Sequence, residues 1–346
     1  MLINYKYFHN LSMIIQITHM SPTQALYPLK FEPLFKYRMW GGQKLRTHLN
    51  KSITNPQIGE SWEISGVAND ETVVADGWLK GFTLQLLIEK FTAQFLGHSV
   101  FQKFNNEFPL LIKFIDAKTP LSIQVHPSDE IAKKRHNSFG KNEMWYIMEA
   151  DKDAEIILGF KGSTDKNTYQ QHLENHTVLE LMHHQKVKKG DAFYIPTGRI
   201  HAIGAGILLA EIQQTSNITY RIYDYDRVDQ ATGETRDLHN DLAMDVLDFN
   251  SQDSYGTIYE NKENTPNQLI HSPYFKSDYL NLTQNINKDF SQRDSFTIFI
   301  CMEGKSNLVY KGVTYRLILG ETILIPAVID SVNIETNGAK LLEVYM

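Results

Sequence analysis

From about residue 25 the chain runs as short apolar-rich stretches punctuated by Gly, Pro, Asn and Asp, the pattern of strands joined by turns. The period changes between Leu79 and Phe104. There Leu84, Leu87, Ile88 and Phe91 fall at i, i+3, i+4 and i+7, the spacing of one helix face. Residues 164–184, polar and free of Gly and Pro, predict a second helical insertion, and a third short helix is expected over 238–249. The remainder reads as antiparallel β, so the expected class is mainly β with helical additions.

A weak internal repeat organises this pattern. Met148-Glu149-Ala150 opens onto AEIILGF, and GDAFYIPTGRIHAIGAG follows from Gly190. Met302-Glu303-Gly304 opens onto SNLVYKG, and GETILIPAVIDSVNI follows from Gly320. Two related β-barrels or jelly rolls in tandem produce such a repeat, the first lengthened by an insertion between its halves. The expected division is an N-terminal extension over 1–24, a first barrel with its insertions over 25–250, and a second barrel over 251–346. Aligned on Ile-Pro, His201 matches Ser331; aligned on Met-Glu, Glu143 matches Thr297. Polar chemistry is therefore expected in the first copy only.

Composition narrows the classes. A length of 346 residues suits two packed domains, and 42% hydrophobic with 21% charged residues is ordinary globular composition. A net charge of -6 argues against non-specific nucleic-acid binding, which needs a basic surface. The single cysteine, Cys301, leaves no disulfide framework and no thiolate zinc knuckle, so a metal must be held by His, Asp, Glu or an amide oxygen. No stretch approaches the roughly 20 apolar residues of a membrane span. The first 19 residues make a poor signal peptide: Lys6 is their only basic residue, and His9, Asn10, Ser12, Gln16 and Thr18 interrupt the apolar run. Cytoplasmic residence is expected, with Met20 an alternative start. No phosphate-cradling Gly-rich loop is present.

Four residues form a candidate metal set: Gln124 and His126 in PLSIQVHPSD, Glu143 in KNEMWY, and His201 in IPTGRIHAIG. Strand positions i and i+2 share a face, so Gln124 and His126 converge. Two imidazoles, a carboxylate and an amide oxygen suit zinc before manganese, iron or cobalt. Spacing alone also admits a hydrogen-bonded core histidine and a solvated edge glutamate.

The run from Gly190 through Pro196, Gly198 and His201 resembles the second signature of the cupin superfamily, with Ala205 where its final Asn usually stands. Gln124-x-His126 followed by Glu143 resembles the first, with Gln for its first His. PLSIQVHP, Lys141-x-Glu143, Trp40-Gly41-Gly42 and GESWEISG at 59–66 together resemble type I mannose-6-phosphate isomerases in their short bacterial form. The resemblance runs from about residue 28 to the C-terminus and implies tandem cupin-type jelly-roll barrels. It also implies one zinc ion per chain on Gln124, His126, Glu143 and His201, and a sugar phosphate as the small-molecule partner.

The reaction implied is the interconversion of mannose 6-phosphate and fructose 6-phosphate through an enediol, which calls for a cation near the carbonyl oxygen and a base facing C1 and C2. The resemblance places catalytic groups at Arg221 and Lys141, and substrate contacts at Lys113, Ser122, Trp40 and Glu60. Read without it, Arg221 also suits an ion pair with Asp224 or Asp226. Many relatives carry Asp where this chain has Asn217, and an amide is no base, so Glu211, a zinc-bound water and Lys141 all remain admissible. Two other readings use the same barrel: an iron-dependent dioxygenase on His126, Glu143 and His201, and a non-catalytic sugar-binding protein. The sequence gives no oligomeric state.

Overall fold

The computed structural model describes residues 25–252 and 254–346; the extension expected over 1–24 lies outside the described residues. Two β assemblies follow each other along the chain. In the first, a six-stranded sheet runs in the order Ala192–Ile195, Glu143–Ala150, Ile207–Gln214, Leu110–Ala117, Leu34–Gly42 and Ile58–Ile64. A five-stranded sheet accompanies it: Met182–Lys186, Glu155–Phe160, His201–Ile203, Ile123–Val125 and Tyr220–Tyr223. The second assembly is one eight-stranded sheet built on the long strand Thr297–Tyr310. The protein is mainly β with a cupin-type fold, as its pattern predicts.

Register relates the two assemblies. Glu143 faces Ile195 on one neighbour and Gln213 on the other; Thr297 faces Ile325 and Tyr345 in the corresponding places. His201 pairs with Gln124, and Ser331 pairs with Asp289. The repeat seen in the sequence is thus a repeat of strand pairing.

The helical stretch predicted from 79 to 104 is three short helices, Leu84–Phe91, Ala93–Leu96 and His98–Phe104. Thr83 caps the first through its side chain. Breaks fall at Thr92 and Gly97, both at positive φ. Leu84, Leu87, Ile88, Phe95 and Leu96 then join one apolar core with Phe296, Ile298, Leu324 and Leu342 of the second assembly. Asp294 accepts from the backbone N–H groups of His98 and Ser99 at 2.6 and 2.8 Å, fastening the same junction.

Two other helices are shorter than expected. Within 164–184 only Lys166–Glu174 is α-helical, and Met182–Lys186 is an edge strand whose residues alternate between inside and outside. Within 238–249 the helix covers Asn240–Met244; beyond it the chain leaves the helix so that Phe249 stacks on Phe160. Both misjudged ends are tertiary effects on short segments. Among the described residues no helix is long and apolar enough to cross a membrane.

Candidate active site

Local structure brings the predicted metal donors together. Gln124 and His126 come from the strand Ile123–Val125 and the residue after it. Glu143 opens the strand Glu143–Ala150, and His201 opens His201–Ile203 after the turn at Pro196-Thr197-Gly198. Gly198 sits at φ 86°, where a side chain is strained, and its N–H donates to the His126 carbonyl at 2.9 Å. The turn is therefore tied directly to the segment carrying His126. Asn142 strengthens the tie, accepting from the Thr197 N–H at 3.1 Å beside Glu143.

His126, Glu143 and His201 offer ligand atoms all within 4.8 Å of one another, and all three are essentially fully buried. The His126 Nδ1–H donates to the Ile218 carbonyl at 3.0 Å, and the His201 Nδ1–H to the Arg199 carbonyl at 2.8 Å. Each neutral ring therefore aims an Nε2 lone pair inward. These lie 3.5 and 3.4 Å from the two oxygens of Glu143. His126 Nε2 and both Glu143 oxygens lack a directed hydrogen bond despite complete burial. Electron-rich atoms do not gather in a dry interior without a cation. The Gln124 amide lies 3.3 Å from His201 Nε2, and its oxygen supplies a fourth donor when turned to that side. The donor set fits a metal ion.

Titration follows from the same burial. Burial and the neighbouring Lys141 hold His126 well below the ordinary histidine value, and burial takes His201 to about 4. Burial and Glu211 push the Glu143 carboxyl up to about 7, against Lys141 and Lys113.

Above this group lies a cavity of about 510 Å³. Gln124 and Lys141 line it, while the two histidines and Glu143 sit beneath. Lys141 Nζ is 3.2 Å from Glu143, and Lys113 Nζ is 2.9 Å from Glu211. Glu211 also accepts from the Trp145 indole at 2.9 Å. Glu60 accepts from Arg38 and from the Trp62 indole, both at 2.8 Å. Burial raises the Glu60 carboxyl, but Lys113 and Arg38 outweigh it and hold it at about 2. Trp40 reaches the wall because the following Gly41 packs where a Cβ would meet the Gly59 backbone at 2.5 Å.

Every predicted catalytic and substrate-contact residue lines this cavity: Arg221, Lys141, Lys113, Ser122, Trp40 and Glu60. Arg221 does not take the ion pair left open by its sequence. Its Nε donates to Ser122 Oγ at 3.3 Å and its Nη1 to the Asp237 carbonyl at 2.9 Å, while Asp224 is occupied by Arg227 and Arg236. Asn217 lines the cavity too. Sequence reasoning missed Arg38, Arg236 and His239 in the wall. Arg38 shares a strand with Trp40 at i and i+2, a signal that was readable. Arg236 and His239 follow an irregular polar loop that carries no period.

Comparison with known proteins gives the chemistry a context. Residues 29–172 match the family model described as phosphomannose isomerase type I, catalytic domain, and residues 266–346 match mannose-6-phosphate isomerase, cupin domain. The chain is 38% identical to mannose-6-phosphate isomerase ManA of Bacillus subtilis (strain 168), covering 86% of this chain and 93% of that one. It is 32% identical to mannose-6-phosphate isomerase of Streptococcus mutans serotype c, covering 88% and 94%. Its fold superposes on the crystal structure of the mannose 6-phosphate isomerase from Bacillus subtilis with a TM-score of 0.83 at 32% identity, over 93% of this chain and 100% of that one.

Proposed function

The chain belongs to the type I phosphomannose isomerase family, and on that premise we propose that its cavity interconverts D-mannose 6-phosphate and D-fructose 6-phosphate with one zinc ion. The enzyme is an aldose–ketose isomerase. The observation that carries the metal reading is the convergence of the buried His126 and His201 Nε2 atoms on the Glu143 carboxylate beside a cavity, where His126 Nε2 has no hydrogen bond and Glu143 has only the Lys141 ion pair. Gln124, His126, Glu143 and His201 would hold the ion, a nitrogen and oxygen set suited to zinc. When bound, zinc supplies positive charge for a carbonyl or enediol oxygen. The Ile218 and Arg199 carbonyls fix the imidazole tautomers, as outer partners of metal ligands do.

The chain's own groups account for orientation and proton handling. Lys141 and Lys113 present N–H donors at the cavity floor, suited to the sugar's hydroxyl oxygens. Lys113, buried against Glu211, is better placed for that than for an exposed phosphate. Arg221 stays cationic and stabilises charge that develops on the substrate. Trp40 and Glu60 shape the wall, with Glu60 holding Arg38 in place. The proton moving between C2 and C1 must be carried by a group on this floor, where Glu211, Glu60, Lys113 and Lys141 meet.

The division into a catalytic barrel over 25–250 and a metal-free barrel over 251–346 belongs to the same reading, as does work in the cytoplasm. A coupled assay for fructose 6-phosphate, run before and after chelation and zinc restoration, tests it. Loss with chelator and recovery with zinc is the expected result. Folded protein inactive in every metal state would overturn it.

A further inference from the structure

Lys141 sits where the backbone has no strand ladder to hold it. Residues 137–142 form neither helix nor strand, and the strand Glu143–Ala150 starts only after them. Yet Lys141 is 6% exposed, and its Nζ lies 3.2 Å from Glu143 at the cavity floor. A lysine side chain on an irregular segment holds one position only when its backbone is fixed from outside.

The three successive N–H groups at 140, 141 and 142 each find an acceptor on another segment. Gly140 donates to Asp129 Oδ1 at 2.8 Å, Lys141 to the Pro127 carbonyl at 3.4 Å, and Asn142 to Gln214 Oε1 at 2.9 Å. Gly140 comes this close because it lacks a Cβ, which would meet the Asp129 nitrogen at 2.5 Å. Gln214 joins both ends of the run. Its Nε2 donates to Asp129 Oδ1 at 3.0 Å, and its Oε1 accepts a second bond, from Asn142 Nδ2 at 2.7 Å. Asn142 Oδ1 in turn accepts from the Thr197 N–H at 3.1 Å and the Tyr194 hydroxyl at 3.3 Å, just ahead of His201. The backbone N–H donors fix both amide orientations. The chain Asp129–Gln214–Asn142 thus crosses the segments that carry His126, Glu143 and His201.

None of these three residues lines the cavity. Gln214 ends the strand Ile207–Gln214 three residues after Glu211, so it faces away from the floor that Glu211 helps to form. Asn142 and Gln214 are buried, and every atom of their two amides that can hydrogen-bond does so. A buried polar network satisfied to this degree holds one arrangement. We propose that Gln214 and Asn142 are positioning residues of the reaction, setting Lys141 directly and the Glu143 and His201 donors through the backbone next to them. The effect on turnover rests on the isomerase reading, while the effect on metal binding does not need it.

Gln214→Glu keeps the shape and the acceptor for Asn142 but sets two carboxylates face to face at Asp129. In the full chain its kcat for mannose 6-phosphate should fall by about 10- to 100-fold with KM within about threefold, the mark of a displaced group rather than of lost binding. Zinc affinity of the folded variant, read by competition with a chromophoric chelator well below the melting temperature, should fall by about tenfold or more, as when outer partners of metal ligands are lost. Asp129→Asn combined with Gln214→Glu exchanges donor and acceptor between the two side chains and should recover most of both losses. Gln214→Met, uncharged and of similar volume, should show the same pattern and serves alone if Gln214→Glu does not fold. Folded Gln214→Glu and Gln214→Met that melt lower but keep wild-type kcat and zinc affinity would overturn the proposal. So would a double variant no better than Gln214→Glu. Wild-type protein that never isomerises, while Gln214→Glu weakens zinc binding and the double variant restores it, would sink the isomerase reading and leave the positioning role standing.

Discussion

The two β assemblies share a pairing scheme and differ in what they leave unsatisfied. In the first, Glu211 stands across from Trp145 and is held by Lys113, while Glu143 two positions along has no directed hydrogen bond and lies under a cavity. In the second, Glu343 stands across from Phe299 in the corresponding place. It is fully buried and paired with Lys288 at 2.6 Å and Arg293 at 2.8 Å. Thr297, matched to Glu143, takes a hydrogen bond from Arg293 at 2.8 Å. Around it Leu280, Phe299, Leu308, Val332 and Ile334 fill an apolar core. One scaffold thus holds a buried carboxylate in two ways. Closed by two cations of its own, Glu343 is structure; Glu143, with one lysine and two histidine nitrogens beside it, can take a metal ion.

The sharpest way to break this comparison is His201→Ala. Bound metal, read by atomic absorption, should be largely lost, and turnover should fall by about three orders of magnitude or more, since a ligand to the ion is removed. A cooperative melting transition should survive, because the substitution removes one buried ring beside Trp145 and leaves the apolar side chains of both cores in place. Full turnover in a metal-replete His201→Ala would end the assignment. Glu343→Ala asks the opposite question of the second assembly. It strands Lys288 and Arg293, and denaturant unfolding should show a loss of about 3–5 kcal/mol. Metal content per folded chain should not change. A fall in metal content there would mean that the two carboxylates are not separable in role.

Arg221→Ala comes next. It should keep its metal and lose turnover by about 100- to 1000-fold, the cost of removing one preorganised charge from a reaction. Metal loss in that variant would recast Arg221 as a support for the Gln124 strand, its neighbour in register.

How much of this was legible in the sequence depends on how local each signal is. The convergence of the four candidate donors was readable because i, i+2 spacing and the Pro196-Thr197-Gly198 turn are local, and the structure brings Gln124, His126, Glu143 and His201 together. The repeat was readable because Met-Glu and Ile-Pro mark equivalent strands. The breaks at Thr92 and Gly97 were not, since they follow from docking against Phe296 and Asp294 of the other assembly. Nor were Arg236 and His239, whose place in the wall depends on an edge strand and on Asp224 rather than on any period. The place of Arg221, hydrogen-bonded to Ser122 and the Asp237 carbonyl rather than ion-paired, was half legible. Nearby aspartates suggested an ion pair, but Arg227 and Arg236 had claimed Asp224 first.

The smallest expected effect tests the comparison at its other end. Ser331 is the residue that the Ile-Pro alignment matches to His201, and it pairs with Asp289 as His201 pairs with Gln124. Yet Ser331 is exposed, and the buried neighbour on its strand is Val332. The buried place that His201 takes in the first assembly is taken by an apolar side chain here, and the polar residue is turned outward. Ser331→Ala should therefore shift unfolding by no more than about 0.5 kcal/mol and leave turnover and metal content alone, as exposed substitutions do. Val332→Ser should cost far more, about 2 kcal/mol or above, because it removes a buried methyl pair and adds an unpartnered hydroxyl. A larger penalty at Ser331 than at Val332 would mean that the second assembly still relies on the polar position it was matched to, and that its interior is not the closed apolar core that the register implies.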